Sequence, residues 1–289
     1  MDGFINVLKP PGMSSGTAVA IVKRITGEKA GHAGTLDPEA CGILPVMVGR
    51  ATRLFDFMVE KKKTYLAEIA FGCATDTQDA QGTVIEKGDR YPDREAVLAV
   101  LPRFTGDILQ TPPMYSALKI GGETLYKMAL KGKTAEIPAR PIHVERIDLL
   151  RETPRRGMLL RVACGRGTYI RTLCHDIGRA LSCPSHMRFL LREQTGAFTL
   201  DTAVTVEELK AGKAADNLLP MDTPLQHLPR FDVPEGLRRL CLNGVRLRPD
   251  EWPGFAAPGE CVRLYIDGDL IGVSVADERG LLIPRAVLR

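Results

Sequence analysis

Asp37 is the residue of this chain best placed by its neighbours to do chemistry. It follows Gly31-His32-Ala33-Gly34-Thr35-Leu36 and precedes Pro38. Pro38 disfavours helical backbone at Asp37, so the carboxylate is presented on extended or turn-like chain. The glycines permit backbone angles that other residues avoid, or close approach of a ligand. The apolar run from Ile43 to Val48 then reads as a buried strand. The picture is a carboxylate on a stiff loop against a core strand, with His32 just upstream. A carboxylate so held can act as a nucleophile, as in retaining glycosidases. Asp-Pro alone is a common turn pair, so the chemistry has to be supported from elsewhere. Two further stretches place an aromatic beside a cation. Tyr65 follows Lys61-Lys62-Lys63, and Tyr169 and Arg171 stand in Gly165-Arg166-Gly167-Thr168-Tyr169-Ile170-Arg171. For Tyr65, an aromatic beside cations can stack a base while its phosphate is held; Tyr169 and Arg171 stand at a helix start, whose free N–H groups can favour an anion.

Composition limits what such residues could serve. At 289 residues the chain can hold one large domain and a small one. Its 44% hydrophobic and 26% charged content is that of an ordinary soluble globular protein. No apolar run approaches membrane-spanning length and no basic-then-apolar leader opens the chain, so the expected location is cytoplasmic, with no membrane partner. Seven scattered cysteines without a Cys-x-x-Cys pair argue against a disulfide framework and a structural zinc. With five dispersed histidines, no metal is expected, and no dinucleotide signature points to a cofactor. The net charge of +4 says less than its distribution. Residues 151–192 carry nine arginines against Glu152 and Asp176, a net of +7, and a second cationic stretch runs from Lys119 to Arg140. Arginine's planar fork suits phosphate. Charge runs also form ordinary solvated faces; the polyanion reading is adopted.

The elements that must position these residues follow from pattern. Phe4 to Leu8 reads as a strand ending at Lys9-Pro10-Pro11-Gly12. Ser14 or Ser15 caps a helix with the stripe Ala18, Val19, Ile21, Val22, Ile25, ended by Gly27. Ala51 to Val59 is expected to be helical. Tyr65, Ala67, Ile69 and Phe71 alternate onto one face of a strand. Thr75 to Gly82 is a polar loop in which Asp76 and Asp79 have structural or RNA-positioning roles. A helix is expected from Asp93 to Leu101. Residues 111–126, rich in proline, glycine, aromatic and basic residues, suggest a mobile surface loop with a short helix. Strands are expected over Arg140–Leu150 and Met158–Cys164. Thr168 is a plausible N-cap for a helix with the stripe Ile170, Leu173, Cys174, Ile177, Leu181, flanked at its start by Tyr169 and Arg171. In a strand from His186 to Arg192, His186, Arg188, Leu190 and Arg192 share one face. Thr205 and Glu208 form a capping box. After Leu228-Pro229 the chain changes character: a helix from Pro234 to Leu242, a hairpin turning at Asp267-Gly268, and a last strand near Leu281 to Leu288.

Gly31 to Pro38, followed by Ala40, Gly42 and Leu44-Pro45-Val46, resembles the catalytic motif of the TruB family of tRNA pseudouridine synthases, and Gly-x-Gly-Thr-Tyr-Ile-Arg resembles that family's other signature. Lys9-Pro10-Pro11-Gly12 and Thr75 to Gly82 are similar to further family segments. The resemblance implies an α/β mixed (α+β) fold with a largely antiparallel central sheet flanked by helices. It implies a catalytic domain over 1–229 with an RNA-clamping insertion over about 111–140, and a small β-rich, PUA-like RNA-binding domain over 230–289. Many members carry arginine where this chain has Leu130, so a phosphate contact there is either missing or supplied by Lys131.

The implied reaction isomerises the uridine at position 55 in the T-arm loop of tRNA, after flipping the base from its stack. Asp37 is the implied nucleophile. Arg171 pairs with it and keeps it ionised. Tyr65 stacks on the target base and assists proton removal, and His32 fills the space the base leaves. Tyr169 packs beside the arginine, Leu190 lines the uracil pocket, and Lys9 is counted with the substrate-binding residues. No metal or cofactor is implied. The partner is the tRNA T-arm stem-loop, met by a monomer that requires no protein partner. Two other readings share these residues: a guide-RNA-dependent synthase within a protein–RNA particle, and a non-catalytic RNA-binding or RNA-folding protein. The compact length argues against the first, and the presence of Asp37, Tyr65 and Arg171 argues against the second.

Overall fold

The apolar run after the glycine-rich loop forms the strand Cys41–Val48, with Gly42 to Val48 all buried. It pairs antiparallel with Gly3–Lys9, in a register that sets Phe4 opposite Met47 and Val7 opposite Leu44. These assignments come from a computed structural model that describes residues 1–59 and 62–288. Lys61 of the cationic run, with Glu60 and Arg289, lies outside the described residues. The chain forms two compact units. The first comprises Met1–Pro38, Gly42–Glu60 and Gly196–Arg289, and the second comprises Glu39–Cys41 and Lys61–Thr195.

In the first unit, Ala30–His32 pairs with Cys41–Val48, and Gly3–Lys9 also takes Leu218–Leu219 antiparallel and Val204–Thr205 parallel. The helix Ser15–Thr26 is capped by Ser14, whose side chain accepts from the Thr17 N–H, and ends at Gly27 in the left-handed region (φ 70°). It buries Ala18 and Val22 against Ile5, Val7, Leu44 and Val46. Each such side chain contributes on the order of 1.5–3 kcal/mol. The expected helix over 51–59 is a 3-10 turn, Gly49–Leu54, followed by the short helix Phe55–Val59.

Residues 230–288 form a four-stranded sheet in the order Arg230–Asp232, Cys261–Ile266, Asp269–Ala276, Leu282–Val287. The hairpin turns where expected, with positive φ at both Asp267 and Gly268. One side of this sheet packs Phe231, Trp252 and Leu264 together. On the other, Tyr265, Val273 and Leu288 join a core containing Phe4, Met47 and Leu54.

In the second unit, five strands run in the order Ser185–Thr195, Lys63–Phe71, Gly157–Cys164, Arg140–Thr153, Gly106–Gln110, antiparallel throughout. The expected largely antiparallel central sheet thus holds only in part, because Gly3–Lys9 takes the parallel neighbour Val204–Thr205. Tyr65, Ala67 and Ile69 alternate with the more exposed Leu66 and Glu68, as expected. The helix Ile170–Ala180 buries Ile170, Leu173, Cys174 and Ile177.

Two expectations are corrected. Thr168 is not the cap of that helix. Tyr169 occupies the position without a capping side chain, and the Thr168 hydroxyl donates instead to the Gly165 carbonyl. The alternation expected from His186 to Arg192 is broken by a bulge between Met187 and Phe189. The bulge buries both His186 and Met187 and turns Phe189 outward, 41% exposed. No helix among the described residues is long and apolar enough to cross a membrane.

Candidate active site

In the first unit, the loop carrying Asp37 is pinned on both sides of the carboxylate. Ser15, at the first position of its helix and 3% exposed, uses one hydroxyl twice. It accepts from the Leu36 N–H at 2.8 Å and donates to the Leu36 carbonyl at 2.9 Å. The other side is held by Lys9, which is fully buried. Its ammonium donates to the carbonyls of Pro10 (2.9 Å), Met13 (2.7 Å) and Pro38 (2.9 Å). An ammonium has three N–H donors, and these three carbonyls are among its partners. Asp37 is half-buried between the two braces. His32 ends the strand Ala30–His32, and its Nδ1 accepts from the Gly34 N–H at 3.3 Å, which curls the loop start back on the imidazole.

The second unit holds the other candidate residues. Tyr65 is 8% exposed on the covered face of its strand, in register with Val162 on one side and Arg192 on the other. Leu190 is 7% exposed on the neighbouring strand, in register with Ala67, so it lies diagonal to Tyr65 on the same face. Its carbonyl accepts from the Cys41 thiol at 3.5 Å.

Tyr169 is held by a residue that no motif singles out. Gln110, 3% exposed, donates from Nε2 to the Tyr169 carbonyl (3.0 Å) and accepts at Oε1 from the Tyr169 N–H (2.8 Å). This amide does for Tyr169 what the Ser15 hydroxyl does for Leu36. It pairs both backbone polar groups where no strand is available to do so.

Arg171 is a buried group, only 5% exposed, and not a solvated flank of its helix. Its guanidinium donates to the Thr77 carbonyl (3.1 Å) and the Tyr115 carbonyl (2.9 Å), and Nη1 lies 3.7 Å from the Asp79 carboxylate. The 75–82 loop is itself tied by its acids, as read from sequence. Asp79 accepts from the Thr77 hydroxyl (2.7 Å) and the Gln81 N–H, and Asp76 accepts from the Thr83 N–H. Gln78 takes a positive φ of 62°, and its side chain accepts from Thr172, the residue after Arg171. The proximity of Asp79 to Arg171 was legible only as two acids in a polar loop.

Residues 111–140 carry a hairpin of Lys119–Ile120 with Glu123–Thr124 and the helix Leu125–Leu130. Leu130 is 66% exposed, and the Lys131 ammonium is paired with Glu123.

A family description, TruB family pseudouridylate synthase N-terminal domain, matches residues 23–170, and the tRNA pseudouridylate synthase B C-terminal domain matches residues 171–226. The chain belongs to the TruB family. It is 47% identical to tRNA pseudouridine synthase B of Symbiobacterium thermophilum, covering 85% of this chain and 83% of that protein. To tRNA pseudouridine synthase B of Alkaliphilus oremlandii it is 44% identical, over 95% of this chain and 93% of that one.

Its fold is similar to that in a crystal structure of a Cbf5-Nop10-Gar1 complex, with a TM-score of 0.73 and 29% identity, covering 96% of this chain and 79% of that one. It is also similar to that in a structure of an H/ACA RNP bound to a substrate RNA containing 2'-deoxyuridine (TM-score 0.75, 25% identity, 99% and 85% covered). As a TruB-family pseudouridylate synthase the chain is an isomerase. The two family descriptions run through both site-bearing stretches and end at residue 226, before the sheet of residues 230–288, whereas the match to the Alkaliphilus oremlandii protein covers 95% of this chain.

Proposed function

We propose that the chain isomerises the uridine at position 55 in the T-loop of tRNA to pseudouridine, with Asp37 as nucleophile. The relatives' names support tRNA as the substrate. The observation that carries the nucleophile is the double brace on the Asp37 loop, with Ser15 on Leu36 and Lys9 on Pro38. A nucleophile held in place before the substrate arrives avoids the entropic cost of being positioned during the reaction.

The Asp37 carboxylate adds at the sugar C1′ or at the base C6. By either route the N1–C1′ bond breaks, the uracil turns, a C5–C1′ bond forms, the bond from the carboxylate to carbon breaks again and frees Asp37, the C5 proton leaves and N1 gains a proton. Product and substrate contain the same atoms, and no cofactor is required. Tyr65 stacks on the base and assists loss of the C5 proton. Arg171 pairs with Asp37 and keeps it ionised, and Tyr169 packs beside that arginine. His32 fills the space the flipped base leaves, which offsets part of the unstacking cost. Leu190 lines the uracil pocket. Lys9 acts through the loop as a positioning residue, since its ammonium is turned inward onto carbonyls.

The 111–140 segment is the RNA clamp of a catalytic domain over 1–229, and residues 230–289 are a PUA-like RNA-binding domain. The chain works in the cytoplasm as a monomer without a protein partner. Its identity to the tRNA pseudouridine synthase B proteins exceeds that to the matched chains of the Cbf5-Nop10-Gar1 complex and the H/ACA RNP, which favours action outside a protein–RNA particle.

The test follows tritium release from C5 of the target uridine in a T-arm stem-loop. Wild type should release the label. Asp37→Asn should fall by at least about a thousandfold, the scale for loss of a nucleophile, while still binding the RNA. Equal release by both proteins removes Asp37 from the reaction.

A further inference from the structure

The second unit has a cleft that takes no part in the proposed chemistry. It measures about 420 Å³ and is lined by Leu66, Glu68, Arg151, Thr153, Arg155, Arg188 and Phe189, among others. That is within the roughly 300–1,000 Å³ of small-ligand sites. Leu66 and Glu68 alternate with Tyr65, Ala67 and Ile69, so the cleft lies on the sheet face away from Tyr65 and Leu190.

Register explains how it is built. Phe189 pairs with Glu68, Glu68 with Leu159, and Leu159 with Arg151, one rank of side chains across four adjacent strands. At ordinary strand spacing, Phe189 and Arg151 stand about 14 Å apart at the backbone. The bulge between Met187 and Phe189 turns the aromatic ring outward at one end.

The walls are fixed. Glu68 Oε1 accepts from Arg188 (2.7 Å) and from the Thr153 hydroxyl (2.6 Å). The second Arg188 nitrogen donates to the Arg155 carbonyl at 3.0 Å, which ties the 154–156 turn to the floor. Arg156 stacks on Tyr91, 4.2 Å from its centroid. Those bonds leave Arg151 and Arg155 at the rim, both exposed. Among the described residues neither guanidinium has an ion-pair partner, and Glu68 Oε2 accepts no hydrogen bond. Most arginines of the 151–192 cluster are engaged within the protein, so two unpaired ones beside an exposed aromatic ring are a departure that their neighbours do not explain.

We propose that this cleft is a second nucleic-acid site, in which the base of an unpaired nucleotide stacks on Phe189 while Arg151 and Arg155 meet its phosphates. A base face on an aromatic ring with flanking cations is how sheet surfaces hold single strands. Glu68 Oε2 adds an acceptor for an amino or imino N–H at the base edge. The lining carries three arginines against one carboxylate, which suits a polyanion and disfavours an acidic peptide with no base to stack. The site goes beyond the proposed isomerisation, because it lies on the opposite face from Tyr65 and needs none of the candidate catalytic residues. The nucleotide comes either from an RNA strand or from a mononucleotide.

The test uses the full-length Asp37→Asn protein, first saturated with the unlabelled T-arm stem-loop. A fluorescein-labelled hexamer of riboadenosine is then titrated by anisotropy, with AMP as competitor. The hexamer should bind this complex. Phe189→Ala should weaken it by about fivefold or more, the scale of one lost base–aromatic stack, and Phe189→Leu should weaken it by less. Arg151→Gln with Arg155→Gln should reduce the slope of log affinity against log salt by about 1.4, the scale for two phosphate contacts on a single strand. Tight competition by AMP would assign the cleft to mononucleotides, and weak competition to RNA strands; both keep the base-and-phosphate site. Unchanged affinity and slope in all the variants overturns it. So does a hexamer that binds only where the stem-loop has been left out, since it would then sit in the site proposed for isomerisation.

Discussion

Each compact unit holds one buried cation among its candidate residues, and the two differ in how far the chain must travel to hold it. Lys9 in the first unit is collared by carbonyls one, four and twenty-nine residues away, and Leu36 is pinned by Ser15 from twenty-one. Arg171 in the second unit is held by Thr77 and Tyr115, ninety-four and fifty-six residues away, and Tyr169 by Gln110 from fifty-nine. The devices are alike: a buried side chain bonds both backbone polar groups of one loop residue, and carbonyls receive a buried cation. The first set is assembled by one helix and its loops. The second needs three separate loops to arrive together, so its geometry is more exposed to small errors elsewhere in the unit.

The comparison is tested hardest at Arg171. Arg171→Lys keeps the charge but cannot fork to two carbonyls and reach Asp79. Turnover in the tritium assay should fall by about a hundredfold or more, the scale for one lost electrostatic contact to a reacting centre. Near-normal turnover would mean that the fork does not matter. Next is Lys9→Met, which leaves three carbonyls facing an apolar chain. Urea unfolding should show a loss of about 2–5 kcal/mol. Unaltered stability with a raised KM would break the parallel and return Lys9 to direct substrate contact.

Gln110→Glu removes the donor to the Tyr169 carbonyl, and Ser15→Ala removes both bonds to Leu36. Each should cost about 1–3 kcal/mol. Gln110→Glu should also lower kcat without raising KM for the stem-loop, and Ser15→Ala should show the milder loss in kcat. The reverse order would contradict the greater fragility assigned to the remote braces.

The smallest effect concerns Asp176, on the helix that begins at Ile170. Burial pushes its carboxyl above the ordinary value, opposed by the charges of His175 and Arg179. A carboxyl with a raised folded pKa is disfavoured in its charged form by folding, so it costs stability above that pKa and nothing well below the unfolded value. Asp176→Asn should therefore raise the melting temperature near pH 7. The gap should close as the pH falls to the unfolded value of about 3.8. A gap that widened in acid would point to a favourable partner for the carboxylate.

What could be read from the sequence was what is local. The Ser14 cap, the Gly27 stop, the Thr205–Glu208 capping box and the Asp267-Gly268 turn all stand in the structure, because each is decided within a few residues. The alternation of Tyr65, Ala67 and Ile69 survived because one sheet face is covered and the other is not. The bulge at Met187 leaves no compositional trace, and neither does Gln110, a single polar residue whose importance depends on what folds against it. Thr168 was misread because a threonine before a helix has two places to send its hydroxyl, and the Gly165 carbonyl took it. The arginine cluster was legible as charge but not as architecture. Arg161 pairs with Glu193 at 2.9 Å, Arg188 with Glu68, and Arg192 is 1% exposed.

The Leu36 amide carries one more consequence. It sits in a loop, yet its proton is held by the hydroxyl of Ser15, buried at the first turn of a helix. Its exchange with deuterated solvent should therefore follow the opening of that helix, slow and cooperative, while the amide of the neighbouring exposed residue Thr35 should exchange at the pace of an ordinary surface loop. One pair of neighbouring resonances would then act as a built-in clock for the nucleophile loop, separating a loop that has merely loosened from a unit that has begun to unfold.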